Sequence, residues 1–408
     1  MGLFDLKSKK NKEEDIKDKN VNKKSVNINS ILSKKSKIHK TKTLPPFVTI
    51  DIGSHKVKTM VANYKNGKLT VSQAASIDLP DKAVDDGKII EGEYVANCIK
   101  NMISTNKMKV AGAVITMNST EIIQREIVVP KVQANELQGL VTYEVGKYLP
   151  IDPASYAIQH STIEEFENES GIMAIRINVC AMPKTVAKQH LNLLSKLSLK
   201  LIALDMHSNA IAKLISAEAR QDSPLAIGSN IVIDMGHSHF NVMLFNESKL
   251  QLNRLIETGG SKLDESIVRI ADVDAIEACR LKKYNLSKLS SLDMYKVYAS
   301  AGNENVYNNH FDKEELILQE TMLTFNSWIS DIDGVIKYYL SRNNENKVDA
   351  IYIYSGSSYI KDIDKLIENR LNIKTRRLNQ INCLEGVFNG SNEEIPMYMN
   401  NIGATIRL

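Results

Sequence analysis

Ile50-Asp51-Ile52-Gly53 returns 183 positions later as Ile233-Asp234-Met235-Gly236. Met60 and Met243 each follow their aspartate by nine residues, and Leu69 and Leu250 close the two units, two residues out of step. The first unit reads as strands over 47–50, 58–64 and 68–72, with a glycine turn after the first and Asn66-Gly67 as the hairpin turn before the third. A Walker or dinucleotide-binding glycine loop opens a helix, whereas each of these runs straight into another strand. The repeat offset is too long for a solenoid, so it signals two similar lobes.

Between the copies the pattern predicts a helix over 93–106, a strand over 110–117, a small α+β insert at 118–187, and a helix over 183–197. Within the insert, 122–129, 156–162 and 172–180 are strand-like and 135–147 helical. After the second copy comes a helix-rich stretch over 262–340. Here Asp312 and Glu315 form a capping-box pattern, and Leu316, Met322, Phe325, Ile329, Ile332, Ile336 and Tyr339 keep helical spacing, most simply as core. A strand over 350–354, a turn over 355–358, a helix to 371 and a tail ending in Ile402-Gly403-Ala404 complete the chain. The expected division is a basic arm (1–46), a first lobe (47–226) carrying the insert, a second lobe (227–375) with its helix-rich part at about 262–335, and a return to the first lobe (376–408).

Composition narrows the class. With 408 residues the chain exceeds one ordinary core, and 43% hydrophobic with 25% charged residues is the balance of a folded globular protein. No apolar stretch is long enough to span a bilayer, and the N-terminal lysines lack an apolar signal core, so a cytoplasmic protein is expected. Cys98, Cys180, Cys279 and Cys383 are far apart and lack metal or disulfide spacing; buried free thiols are expected. Residues 1–46 hold thirteen Lys against five acids, so the arm carries +8 and the remainder −4 of the net +4. The arm is too polar to offset its ordering entropy, and disorder is expected there. With no Arg and only Phe4 as an aromatic it does not read as a nucleic-acid arm, which leaves a solvated tail or a contact with anionic lipid. Leu6 stands where N-myristoylation needs Ser or Thr.

Two strand–turn–strand units, each with an aspartate at the first strand's end and glycine two residues later, can face each other across a cleft. Backbone N–H groups of such turns form anion-binding nests suited to nucleotide phosphates, and the two carboxylates suit a Mg²⁺ held through water. Lys58, seven residues after Asp51, could reach the phosphates as a point charge or be a plain strand lysine. Asp51 and Asp234 could equally be turn aspartates capping their own loops. His237 and His239 have the spacing of a metal pair, but no third ligand is apparent, so turn histidines are expected.

At this point the sequence resembles the superfamily of actin, the heat-shock chaperone ATPases and FtsA, most closely its PilM branch. Asp51-Ile-Gly-Ser-His-Lys-Val-Lys58 is similar to the first phosphate motif, with Gly53, Ser54 and Lys58 at its contact positions, and Asp234-Met-Gly-His-Ser-His-Phe-Asn241 to the second, with Gly236 and Ser238. Gly259-Gly260 with Lys262 looks like the glycine pair near the nucleotide, Ala278-Cys-Arg-Leu-Lys282 like the ribose-contacting helix, and Ser355-Gly356-Ser357-Ser358 like the adenosine loop. The likeness runs from about Phe47 to the C-terminus. Glu144-Val-Gly-Lys-Tyr-Leu-Pro-Ile151 is similar to a stretch of the extra subdomain of PilM-like proteins, which lies between the two phosphate motifs as 118–187 does here.

The resemblance implies a two-lobed α/β actin-like (ribonuclease H-like) fold and ATP with Mg²⁺ in the cleft. As partner it implies the cytoplasmic N-terminal peptide of a PilN-like inner-membrane protein, held beside the insert, with pilus motor ATPases as further contacts. The protein would then be a cytoplasmic scaffold of type IV pilus assembly, peripheral at the inner face of the membrane. The alternative is an FtsA-like division protein, whose relatives end in an amphipathic membrane helix that Ile406-Arg-Leu408 does not supply. A sugar kinase or chaperone-type ATPase would call for a catalytic carboxylate or a substrate domain that is not visible. His55, Lys56, His237, His239, Ser357 and Cys279 depart from the family's pattern, and Lys184-Thr185 follow Pro183 where actin positions its attacking water. At most a very slow ATPase is implied.

Overall fold

The structure, a computed structural model, describes residues 45–148, 151–168, 170–289, 313–388 and 391–407. Residues 1–44 of the basic arm and the capping aspartate Asp312 lie outside them. The first copy of the repeat folds as an antiparallel meander, β1 (Phe47–Ile52), β2 (Lys56–Lys65) and β3 (Lys68–Asp78), with Asn66 and Gly67 both at positive φ in the hairpin turn. A two-stranded hairpin, β4 (Val84–Asp85) and β5 (Lys88–Ile89), leads to helix α1 (Gly92–Thr105), which returns the chain so that β6 (Gly112–Met117) lies parallel to β1. The insert is a three-stranded antiparallel sheet, β7 (Ile123–Pro130), β8 (Tyr156–Glu167) and β9 (Met173–Pro183), ordered β7-β9-β8 and packed on α2 (Leu137–Tyr148) through Val129, Val141, Val145, Ile177 and Val179. Helix α3 (Lys184–Lys196) then delivers β10 (Lys200–Met206) parallel to β6.

The second copy repeats this arrangement. β11 (Ser229–Met235), β12 (Phe240–Asn246) and β13 (Lys249–Ile256) form the meander, and β14 (Ala350–Tyr354) and β15 (Thr375–Arg377) extend it in parallel. The sheets are ordered β3-β2-β1-β6-β10 and β13-β12-β11-β14-β15, the same topology twice. Every residue of β11 is buried, because alternate side chains enter two different cores. Ile231, Ile233 and Met235 face the outer cluster, while Val232 faces an inner one shared with Met60, Ile211, Leu214, Met243, Phe245 and Ile402.

The inner core is supplied mainly by α4 (His207–Ala219), which follows β10, and by a short helix near the C-terminus (Met399–Thr405) packed against α4, β1, β2 and β6. Gly403 permits that packing: a Cβ there would lie 2.1 Å from the Ala210 carbonyl oxygen. The helix-rich stretch resolves into α5 (Gly260–Ala271), α6 (Ala275–Lys288) and α7 (Lys313–Ser341). Trp328, absent from the expected apolar stripe, is the largest fully buried side chain and meets Phe240 edge-on at 5.1 Å, whereas Leu316 is exposed. A long helix rotates its stripe gradually, so spacing alone misassigns one member per few turns. Cys98 and Cys383 are buried free thiols; Cys180 and Cys279 are free but only partly buried.

Candidate functional site

Asp51 and Asp234 sit one residue before the ends of β1 and β11, where parallel strands of an open α/β sheet deliver functional groups. Hairpin register decides what faces each one. Lys58 on β2 is opposite Asp51, and Asn241 on β12 occupies the equivalent place opposite Asp234. The first residue of α4, immediately after β10, adds a group that the motifs did not contain. His207 lies between the two aspartates, its Nε2 2.8 Å from Asp51 Oδ1 and its Nδ1 3.2 Å from Asp234 Oδ2. Lys58 Nζ donates to Asp51 Oδ2 at 2.8 Å, and Asn400 Nδ2, from the C-terminal helix, reaches Asp234 Oδ2 at 3.2 Å and Asp51 Oδ2 at 3.4 Å. All five groups are buried, Asp51 and Asn400 almost completely.

Burial works against every charge in this cluster, and the opposite charges overcome it. For Asp51 burial would raise the pKa, but Lys58 and His207 hold it far below the usual carboxylate range. Asp234 is lowered in the same sense by its hydrogen bond and charge interaction with His207. Burial would lower His207, yet the Asp51 charge and the bonds to both aspartates raise it to about 9. Lys58 is likewise raised, by Asp51 against its own burial. Two anions and two cations therefore sit in a cluster without net charge.

The two phosphate-type loops touch across the cleft. Ser54 and Ser238 share a hydrogen bond at 2.6 Å, and the His55 and His237 rings stack with centroids 4.7 Å apart. Burial is the leading cause of the lowered pKa of both imidazoles, His237 falling to about 4, so the stack is uncharged at neutral pH. The glycine N–H groups expected to cradle an anion close their own turns instead, Gly53 onto the Lys56 carbonyl and Gly236 onto the His239 carbonyl, both at 3.1 Å. Between the loops lies a cavity of ≈ 130 Å³, room for several waters but below the ~300–1,000 Å³ of ordinary ligand pockets. Its lining includes Asn118 and Asn241. The Asn118 Nδ2 and both polar atoms of the Asn241 amide are buried with no hydrogen-bond partner among the described residues.

Of the residues expected to hold nucleotide, Asp51, Gly53, Ser54, Lys58, Asp234, Gly236, Ser238, Ser355 and Gly356 line this cavity. The others do not. Gly259 and Gly260 buttress the second loop: a Cβ on Gly259 would lie 2.1 Å from the His237 carbonyl oxygen, and Gly260 N donates to the Gly236 carbonyl at 3.2 Å. Lys282 is buried on Asp264 and the Gly260 carbonyl, while Lys262 is exposed to solvent. Lys58 is not a free point charge but the partner of Asp51. His207 and Asn400 were missed, and Asn241, though it closes the second motif and follows Asp234 by seven residues as Lys58 follows Asp51, was not singled out.

Unpartnered amides beside paired serine hydroxyls fit the oxygen-rich phosphates of a nucleotide. A Mg²⁺ between the aspartates does not fit. The imidazole occupies that space, both Asp51 oxygens are engaged, and a divalent ion would leave a buried cluster with a net charge of about +2.

A family model described as "Type IV pilus assembly protein PilM" matches residues 49–296, more than half of the chain. The chain belongs to the PilM family. Among curated proteins this PilM-family chain is 22% identical over 241 residues to the cell division protein FtsA of Streptococcus pneumoniae, matching 55% of itself and 52% of that protein. It thus spans about half the length of the curated relative it matches. Among solved structures it superposes on a chain of a "PilM-PilN type IV pilus biogenesis complex" with a TM-score of 0.71 at 17% identity, covering 89% of this chain and 98% of that one. The ethanolamine utilization protein EutJ of Carboxydothermus hydrogenoformans gives 0.50 at 12% identity, covering 89% and 90%. These likenesses establish the actin-like fold.

Proposed function

We propose that the protein is a cytoplasmic, actin-like scaffold of a type IV pilus assembly machine, held at the inner face of the membrane because it docks the N-terminal peptide of a PilN-like membrane protein. The observation that carries this reading is the family match, which runs through the whole insert as well as both phosphate motifs. A neighbour in fold that comes from a PilM-PilN complex supports the choice of partner. No helix among the described residues is long and apolar enough to cross a membrane, in keeping with a peripheral role.

The insert offers a surface for such a peptide. Tyr143, Tyr148, Val128 and Met173 expose apolar area there, among the exposed charges Arg125, Lys131, Glu136 and Lys147. Among the described residues β7 and β8 are both edge strands of the insert sheet, each paired with β9 alone, and an extended peptide can add to such an edge. β6, the strand next to the insert, has no side chain to offer such a peptide: all six of its residues are buried and it pairs on both sides. The cleft between the lobes would take the phosphates of a nucleotide such as ATP, with Asn118, Asn241, Ser54 and Ser238 as donors. Motor ATPases of the pilus are further partners in this reading.

Fluorescence anisotropy tests it, using the cytoplasmic N-terminal peptide of a PilN-like membrane protein from the same organism. Single charge reversals at Arg125, Lys131, Glu136 and Lys147 should include at least one that weakens binding about tenfold or more without changing the melting temperature. If none does, while Asn241→Leu in the cleft abolishes binding, the peptide is not read by the insert.

A further inference from the structure

Phosphates and carboxylates repel, so a cleft that presents two aspartates to a phosphorylated ligand needs positive charge between them. In this chain that charge is covalently part of the fold. Both ring nitrogens of His207 lie within hydrogen-bonding distance of carboxylate oxygens, one on each lobe's aspartate. A neutral imidazole has a single N–H, and its other nitrogen would set a lone pair against a carboxylate; only the imidazolium can donate to both. Lys58 supplies a second cation on the remaining Asp51 oxygen. Asn400 donates to both aspartates, bringing the C-terminal helix to the same point.

We propose that His207 and Lys58 are a built-in replacement for the divalent cation of this cleft, so that it takes a nucleoside phosphate in the metal-free form. This rests on the nucleotide reading of the cleft given above and specifies the chemical form of the ligand. The cluster is neutral as it stands, so an incoming phosphate meets no bare carboxylate. The groups left to recognise it are the unpartnered Asn118 and Asn241 amides and the Ser54 and Ser238 hydroxyls, which exchange their mutual bond for bonds to phosphate oxygens. A divalent ion has no open carboxylate oxygen to pull on at Asp51; at Asp234 the imidazole and the Asn400 amide both bond Oδ2, and Asp86, another acid on the cavity wall, is bonded to Thr120 and Ser119. Among the described residues no group of three or more His, Cys, Asp or Glu is arranged to hold a metal ion. His207 also ties the lobes together, since Asp51 and Asp234 belong to different sheets. Closure of the cleft is therefore written into the side chains rather than awaiting an added ion.

The test is a titration of the full-length chain with ATP, followed by thermal shift and by calorimetry, once in excess EDTA and once in excess Mg²⁺. The expected result is the same dissociation constant in both, within about threefold. Binding at least about tenfold tighter with Mg²⁺ would overturn the inference while leaving the nucleotide reading intact. Absence of binding in either buffer would instead sink the nucleotide reading, and this inference with it. A second arm uses His207→Ala, which opens the space between the aspartates and leaves Lys58 as the one remaining cation of the cluster. Mn²⁺ or Mg²⁺ alone should raise the melting temperature of that variant and leave the wild type unmoved. An equal rise in the wild type would mean that the metal reaches the carboxylates past the imidazole, against the proposal. Should the variant not fold, the wild-type titration decides by itself.

Discussion

Asp51→Ala, the obvious way to break a phosphate motif, should damage the fold before it reports on any ligand. The carboxylate is fully buried and holds Lys58 and His207 at 2.8 Å each. Its removal leaves two buried cations facing only Asp234, and stripping one partner from a buried ion pair costs ~3–5 kcal/mol. His207 can lower this by losing its proton, because the Asp51 charge that helps keep its pKa high is gone; Lys58 loses the same support, so its ammonium must swing out to solvent or give up its charge against burial. The expected loss is therefore about 3 kcal/mol or more, which for a chain of this length lowers the melting temperature by roughly 4–6 °C. Urea denaturation followed by tryptophan fluorescence is the direct assay, since the lone Trp328 is buried in the second lobe and reports its unfolding. Ser54→Ala, which loses a single neutral hydrogen bond at the mouth of the same cleft, should cost only about 1 kcal/mol and serves as the control. If Asp51→Ala unfolds within 1 kcal/mol or so of the wild type, the buried ions are not there as described, and the neutral cluster is the wrong account of the site.

The titration of His207 makes a second prediction. Its pKa is raised from about 6.5 to about 9 on folding, worth about 3 kcal/mol; that stability is fully present below pH 6.5 and is lost as pH rises through 9. The charged groups bonded to the ring are Asp51 and Asp234, and both, lowered on folding, contribute in the opposite sense, losing stability only as pH falls below the ordinary carboxylate range. Urea midpoints of the wild type should thus decline between pH 7 and 9.5, and His207→Gln should abolish most of that slope; an unchanged slope would assign it to other groups. A third concerns Asn241, whose amide is buried without a protein partner. Asn241→Leu should leave the ligand-free protein as stable or more so, by about 1 kcal/mol, while eliminating the thermal shift caused by ATP; a large loss of stability would show that the amide is satisfied. Lastly, Gly403→Ala should destabilise by several kcal/mol, because its Cβ would be driven into the Ala210 backbone and the two inner helices would have to part, a loss readable as a lower urea midpoint.

The duplicated meander was legible because it is local. Strand, turn and strand follow one another within about thirty residues, the turn residues are explicit at Asn66-Gly67, and the two aspartates recur at matching places, so β1, β2, β11 and β12 could be read directly. Of the parallel additions, β6 and β14 were readable as strands but not as neighbours, while β10 and the three-residue β15 were not read at all. That β6 would be interior, closed on one side by β1 and on the other by β10, depends on crossovers through α1 and α3, and this hid the fact that it has no side chain to offer a partner. The same limit governed the site. A motif marks which residues begin a loop but not what arrives from elsewhere in the chain. His207 lies 156 residues from Asp51, and Asn400 a further stretch beyond. The motif aspartates suggested Mg²⁺ because two carboxylates seen alone demand a cation; in the folded chain the demand is met from β2 by Lys58 and from the start of α4 by His207. The departures that the sequence did expose, His55 and His237, meet at the same place: their rings stack on the wall of the cavity, both held uncharged at neutral pH by burial. A cleft that is neutral and closed without an added ion has no need of turnover to hold its shape, which is the property a scaffold requires and an ATPase motor does not.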